Sequence, residues 1–457
     1  MKRTLLSLVI SLGVTTSALA DDLFQVYQQA LSNDPVVNRA QAQRNAAFEA
    51  IPISRANLLP QISGAVNYSQ ATRENTQFAG DQENVTLITL DTDTETLQYG
   101  LDLSMSLYDH ANWVGLDRAE KSAEQSDAQL AAAMQELIVR TVNAYFDVLR
   151  AKDNLEFVGA EKRAIKRQLE QTKQRFEVGL TAITDVHEAQ ANYDNTVAQE
   201  IQAENQVELA LEALRVITGE YHDRLYPLDT DSFSATMPSP ADPEKWLEIA
   251  EDKNLLLLVD RLAVDIAKED ISQARAGHYP TLGLTASANR TKNDISGDRI
   301  DFETPYLDDY RVGVNLNIPI FQGLRVSSQT EQAKHLYIAA SQDVEQTYRQ
   351  TVQSVRSSYN DIMAAISTIR ALEQAVVSAQ SALKATEAGF DVGTRTIVDV
   401  LDSTRNLFNA RSNLAGARYD FIQAVVSLKQ AAGTLTSEDV KMINKGLQPP
   451  QAATSGN

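Results

Sequence analysis

The sequence predicts a mostly helical fold with a membrane β-barrel part, assembled from one unit used twice. Three observations predict it. A long Pro-free stretch keeps a heptad spacing of apolar and small residues and has a counterpart later in the chain. Four short segments alternate strictly between apolar and polar residues. A turn motif recurs at the same place in the order of both halves.

The length of 457 residues fits two or more domains or one elongated structure. Hydrophobic residues make up 43% but aromatics only 6%, with much Ala, Gln, Asn, Ser and Thr, which suits long thin helical packing better than a thick core. The net charge of −20 argues against a nucleic-acid binder, which needs a basic surface to neutralise phosphates. Acidity of this size serves solubility, or lines a cavity or entrance that favours cations. With no cysteine, disulfides, thiolate metal sites and a lipid-modified N-terminal Cys are excluded.

The N-terminus reads as a secretory signal over 1–20. Lys2 and Arg3 are basic, 5–14 is apolar, and Ala18-Leu19-Ala20 fits a small-x-small cleavage site that leaves Asp21 first. The apolar run is shorter than the ~20 residues of a spanning helix, and no later segment reaches that length without charges. Membrane insertion must then be by strands.

The repeats are read at 21–219 and 244–433, with a linker at 220–243 and a tail at 434–457. RFEVGLTAITDV at 175–186 matches GFDVGTRTIVDV at 389–400, an offset of 214 from Phe176 to Phe390. Gly219 and Gly433 keep that offset. Arg55, Ala56 and Pro60 answer Arg275, Ala276 and Pro280, and Gly100 and Tyr108 answer Gly313 and Phe321. Each half begins with a helix, at 40–58 and 257–276, followed by two strands.

The strands are expected near 61–70, 97–108, 281–290 and 310–320. Ile62, Gly64, Val66 and Tyr68 take one face of the first, and Leu97, Tyr99, Leu101, Leu103, Met105 and Leu107 one face of the second. Leu282, Leu284, Ala286 and Ala288, then Val312, Val314, Leu316, Ile318 and Ile320, do so in the second half. Alternation alone fits a soluble sheet with one buried face equally well. The export signal and the lack of other apolar sequence to cover four strands favour a barrel. The polar segments 72–95 and 290–309 are expected to be its external loops. Four strands cannot close a barrel, for which about 8 is the minimum, and an open edge in lipid is not viable. Several copies must share one barrel.

The stretch 113–176 lacks Pro and would span roughly 95 Å as a helix. One seam is Leu130, Leu137, Ala144, Ala151, Val158 and Ile165; the other is Met134, Thr141, Val148, Leu155, Lys162, Leu169 and Phe176. The second half repeats both at offset 214, from Val344 and Tyr348 onward. Such spacing implies left-handed supercoiling with partner helices. Gly179 and Gly393 stop these helices, and Thr184, Asp185 and Asp399 fall in the opening turns of the return helices. Each half thus ends in a helical hairpin whose tip lies ~100 Å from the strands by the same rise.

These features together resemble the TolC family of outer-membrane efflux and secretion channels. The segment 381–402 carries the likeness, above all GFDVGTRTIVDVLD at 389–402 with Ala417-Arg418 downstream. The first-half motif and the strand starts Leu58-Leu59-Pro60 and His278-Tyr279-Pro280 support it. The resemblance implies a homotrimer with a shared barrel of about 12 strands in outer-membrane lipid, and a periplasmic α-barrel tunnel in a Gram-negative bacterium. A periplasmic adaptor (membrane fusion) protein and an inner-membrane transporter would be its partners. It implies passive export of drugs or proteins through tripartite pumps or type I secretion. A mixed equatorial region would form from 221–243 and the chain beyond 433, with 448–457 disordered.

The resemblance also implies a gate at the second tip. Arg395 would bond Asp185 and Thr184 of the first half, Asp399 and Asp402 would form an acidic constriction, and Arg418 would pair with that ring from a neighbouring helix. Phe390 stands where the family often has Tyr, so it offers no phenolic bond to Asp185. Gly179, Leu180, Gly393 and Thr394 would dock the adaptor. No cofactor or metal is expected. The five histidines are scattered, and neither a phosphate loop nor a nucleophile elbow occurs, so no enzyme is expected. The competing reading is a soluble periplasmic coiled-coil adaptor or scaffold. A substrate-specific porin is a third, which helices of ~95 Å argue against.

Overall fold

A computed structural model describes residues 21–79, 86–298 and 301–448. Residues 1–20, expected to be a leader, 449–457, and the centres of the two expected loops, 80–85 and 299–300, lie outside the described residues. In chain order come α1 (Leu23–Asn33), α2 (Pro35–Ala56), β1 (Gln61–Ala79), β2 (Thr86–Tyr108), α3 (His110–Glu177) and α4 (Ile183–Thr218). Then follow α5 (Pro243–Lys253), α6 (Leu255–Ala276), β3 (Thr281–Gly297), β4 (Asp301–Glu303), β5 (Leu307–Asn317), α7 (Arg325–Asp391), α8 (Ile397–Ala431) and α9 (Ser437–Asn444). The chain divides into two compact units, one of 1–41, 129–258 and 346–457, the other of 42–128 and 259–345.

The first unit is helical, and its helices start on side-chain caps. Asp22 accepts from the Gln25 amide at 2.7 Å to open α1, and Asp242 accepts from Glu244 at 3.0 Å ahead of Pro243 in α5. The core gathers Leu23 and Val26 of α1, Tyr145 and Phe146 of α3, Leu214 of α4, Trp246 of α5, Ile362 of α7 and Leu428 of α8. Phe146 packs on Tyr145 and Tyr419 with ring centroids 5.7 and 5.5 Å apart. Asp21 is pinned at the edge of this core, its amide donating to Arg224 O at 2.8 Å.

The heptad seams are buried where they cross this core, at Leu130, Leu137, Thr141, Ala144, Val148 and Ala151. There the buried band widens to take in Ile138, Val142 and Leu149, because α1 and the C-terminal segment pack around the helix as well as its hairpin partner. Met134 and Phe176 are exposed, contrary to the seam. Met134 falls outside that band, and Phe176 lies in the last turn, where the seam ends. By length and composition α7 is the one described helix that could cross a membrane. Its Ile362, Ile366 and Ile369 pack into the core of this unit instead.

The second unit holds one antiparallel sheet in the order β1-β2-β3, with β4 and β5 both on the far edge of β3. β5 pairs with 281–291 of β3 and β4 with 294–296, so they occupy one strand position broken at Thr304-Pro305-Tyr306. Pro305 has no amide to give the ladder, and Thr304 Oγ1 donates to Asn293 O at 2.5 Å in its place. The predicted faces match across the sheet: Ile62 opposes Leu103, Gly64 Leu101, Val66 Tyr99 and Tyr68 Leu97.

Strands extend well into the segments expected to be loops. β1 and β2 stay paired as far as Ala79 and Thr86. The added part is Thr-rich, and β-branched Thr suits a strand. Thr72 donates to Asp93 at 2.5 Å, and Thr76 and Thr89 share a bond of 3.2 Å. The last strand ends earlier than expected, at Asn317, because Pro319 follows two residues on. The helices of this unit are laced by ion pairs, Arg44 to Asp127 at 2.8 Å and Arg118 to Asp270 at 2.5 Å.

Candidate functional site

Both hairpin tips belong to the first unit and share one geometry. At the first, the Gly179 amide donates to Phe176 O at 2.9 Å and the Leu180 amide to Arg175 O at 2.8 Å. At the second, the Gly393 amide donates to Phe390 O at 3.1 Å and the Thr394 amide to Gly389 O at 2.8 Å. This paired pattern satisfies the last helix carbonyls, and it requires a left-handed residue. Gly179 and Gly393 supply it with φ of 74° and 80°. The flanking Val178, Leu180 and Val392 are exposed, each at 70% or more.

The two hairpins meet in a small apolar cluster of Ile165 and Leu169 from α3, Ala189 from α4, Phe390 from α7, and Ile397, Val400 and Leu401 from α8. Phe390 is buried here. Arg175 lies over its ring at 4.5 Å and pairs with Asp391 at 3.7 Å, tying the end of α3 to the end of α7. Arg175 opens the first tip motif, but nothing in the motif itself signals this cross-hairpin contact.

Asp399 is held in the first turn of α8 by a reciprocal cap. It accepts from the Thr396 amide and hydroxyl, both at 2.8 Å, and its own amide donates to the Thr396 hydroxyl oxygen at 3.3 Å. The Thr396 backbone bond first, and then its hydroxyl, hold the Asp399 carboxyl below the usual range. Asp402 follows one turn on, exposed, with Arg405 3.5 Å away. The guanidinium of Arg405 also donates to Asn192 at 2.7 Å and faces the buried Glu161 at 4.0 Å. Burial pushes Glu161 up, and Arg405 opposes that shift.

Within the chain, Arg395 is not joined to Asp185 or Thr184. It lies 3.9 Å from Asp399, and its aliphatic arm crosses Gly389, where a Cβ would come within 2.8 Å of Arg395 Cγ. Asp185 instead accepts the Thr181 hydroxyl, and Thr184 is exposed beside it. Arg418 does not stand on a neighbouring helix of the chain. It shares α8 with Asp399 and Asp402, 16 residues beyond Asp402 and so ~24 Å along the axis. It pairs with Glu373 at 3.7 Å and lies 5.7 Å from the Phe233 ring. Arg405, Asn192 and Glu161 went unread because their contacts join helices far apart in sequence, and no local pattern signals that.

Paired helical hairpins, and a long-stranded sheet whose apolar positions alternate, are the class of architecture of an outer-membrane export channel chain. A family model described as Outer membrane efflux protein matches residues 26–220 and 246–434. The outer membrane protein TolC of Vibrio cholerae is 48% identical over 454 residues, covering 98% of this chain and 99% of that protein. The alkaline protease secretion protein AprF of Pseudomonas aeruginosa is 32% identical, covering 93% and 87%. Among solved structures, the Campylobacter jejuni CmeC outer membrane channel superposes with a TM-score of 0.73 at 18% identity, covering 94% of this chain and 90% of that one. The chain belongs to the outer membrane efflux protein family, and it is an outer-membrane channel protein and not a soluble adaptor.

Proposed function

We propose that three copies of this chain form one duct, the exit channel of tripartite efflux pumps and of type I protein secretion. The observation that carries the proposal is the sheet. Among the described residues it has four strand positions, with β1 at one edge and the broken β4/β5 position at the other. A barrel needs about 8 strands at least, and an open edge in lipid leaves backbone groups unpaired. Threefold sharing closes a ring of about 12 strands, with the Val66–Tyr99 face toward lipid.

At the tips, repetition about the threefold axis brings the Asp399 and Asp402 carboxylates into an acidic constriction that admits cations over anions. Arg395 then reaches Asp185 and Thr184 of a neighbouring copy. Arg418 is left out of this ring, since rotation about the axis leaves the height of each residue unchanged. Gly179, Leu180, Gly393 and Thr394, beside exposed Val178 and Val392, offer docking tips to a periplasmic adaptor that links an inner-membrane transporter. The matching family is described as an efflux protein and the P. aeruginosa relative as a protease secretion protein, which supports efflux and protein secretion as the two routes.

Native mass spectrometry of the full-length protein extracted in mild detergent tests the assembly. A three-chain species that requires detergent supports it. A folded single chain that stays soluble without detergent contradicts it.

A further inference from the structure

The entrance carboxylate Asp402 has a cation beside it that is itself held by two other elements. Arg405 Nη1 lies 3.5 Å from Asp402 Oδ1, Nη2 donates to Asn192 Oδ1 at 2.7 Å, and Nε faces Glu161 Oε1 at 4.0 Å. Asn192 comes from α4 and Glu161 from α3, so one planar fork spans three helices. The Glu161 side chain is only 6% exposed. A buried carboxylate is costly unless a cation answers it, and Arg405 is the cation placed to do so. The charged neighbours are few: Lys162, next in α3, is paired with Glu200 of α4, and Asp402 faces Arg405 from the same turn of α8.

We infer that Arg405 is a positioning residue for the ion selectivity of the duct, held beside Asp402 by Asn192 and Glu161. The charge on Glu161 decides how much of that cation remains to neutralise the entrance. The inference rests on the trimeric duct proposed above. With Glu161 ionised, the Glu161–Arg405–Asp402 group carries one net negative charge per copy. With Glu161 protonated it is neutral, because a guanidinium does not lose its proton. Since burial raises Glu161, this neutralisation comes at a higher pH than for an ordinary carboxylate. Asp399, held low by its cap, stays ionised through that step. Acidification therefore weakens the preference for cations while Asp399 is still ionised.

The test is the reversal potential of the full-length protein in planar bilayers under a potassium chloride gradient, followed against pH. At ~0.1 M salt the screening length is about 10 Å, so Glu161→Gln should lower the cation-to-anion permeability ratio about two-fold and remove the higher-pH part of its titration. Arg405→Gln should raise the ratio by about as much under the same screening. Arg405→Lys, which keeps the charge but cannot fork to three partners, should fall between it and the wild type. In an Asp402→Asn background Glu161→Gln takes the group from neutral to one positive charge per copy, so the ratio should fall there by a similar factor. Glu161→Gln channels of normal conductance with an unchanged ratio and pH profile would overturn the inference. So would a Glu161 effect that disappears in Asp402→Asn. Should Glu161→Gln fail to assemble, an unchanged ratio in Arg405→Gln overturns it instead. A wild type with no cation preference would sink the proposed duct entrance as well, whereas a selective wild type with an insensitive Glu161 sinks only this inference.

Discussion

Replacing Gly393 by Ala puts a left-handed backbone requirement in conflict with a side chain, and the structure isolates that conflict. Gly393 sits at φ 80°, and a Cβ built there meets nothing within 4 Å. The cost is thus conformational alone, roughly 1–2 kcal/mol for an L-residue in this region. The tip opens locally, so the loss appears in tip amides rather than in the core. Hydrogen exchange of the Gly393 and Thr394 amides, bonded to Phe390 and Gly389, should speed up by about 5–30-fold, while core amides near Tyr145 keep their rates. Gly393→Asn should recover most of the protection, because Asn tolerates the left-handed region. Gly433 provides the contrast. Its φ is 69°, but a Cβ there would come within 2.0 Å of Lys253 O, so Gly433→Ala should disturb the packed unit itself. Equal exchange in wild type, Ala and Asn at position 393 would refute the reasoning, as would equal damage from Ala at 393 and 433.

Two further outcomes follow from the same unit. Arg175→Ala removes the cation over the Phe390 ring and its pair with Asp391, a loss of about 1 kcal/mol, and exchange in the last turn of α7 should rise several-fold; unchanged exchange would deny the tether. Asp34, almost fully buried, accepts both forks of Arg140 at 3.0 and 2.8 Å. Burial alone would raise its carboxyl, but the Arg140 bonds and the Val37 amide bring it below the ordinary value of 3.8. A depressed folded value gives stability that is complete above the unfolded value and lost as pH falls through the folded one. Asp34→Asn should therefore cost about 3 kcal/mol at neutral pH, and the gap to wild type should close only below about pH 4. A gap that is constant from neutral to acid, measured as the thermal midpoint in detergent, would contradict the pairing.

The long helices were legible because nothing interrupts them. Without Pro over 113–176, the predicted limits fall within a few residues of α3 (His110–Glu177), and the two tip glycines mark the turns. The inner halves of the strands were legible through alternation, which the register of Val66 on Tyr99 reproduces. Their outer halves were not, because Thr and Asp in 86–96 read as loop until a partner strand supplies the ladder and the Thr72–Asp93 bond. Seams misled at Met134, where burial depends on which helices surround α3 and not on spacing. The charges at the site were the least legible. Arg405 meets Glu161 and Asn192 across more than 200 residues, and Arg418 lies too far along α8 for its expected partners, a matter of axial distance that a motif does not encode.

The central claim, a cation-preferring duct whose entrance is the second tip, is tested most directly by single-channel recordings. The wild type would be recorded beside the Asp399→Ala/Asp402→Ala double variant in planar bilayers. The account predicts discrete cation-selective channels in the wild type and clearly weakened selectivity, at similar conductance events, in the variant. Equal selectivity in both would remove the entrance from these residues, and well-folded, detergent-extracted protein that forms no channels would contradict the duct itself.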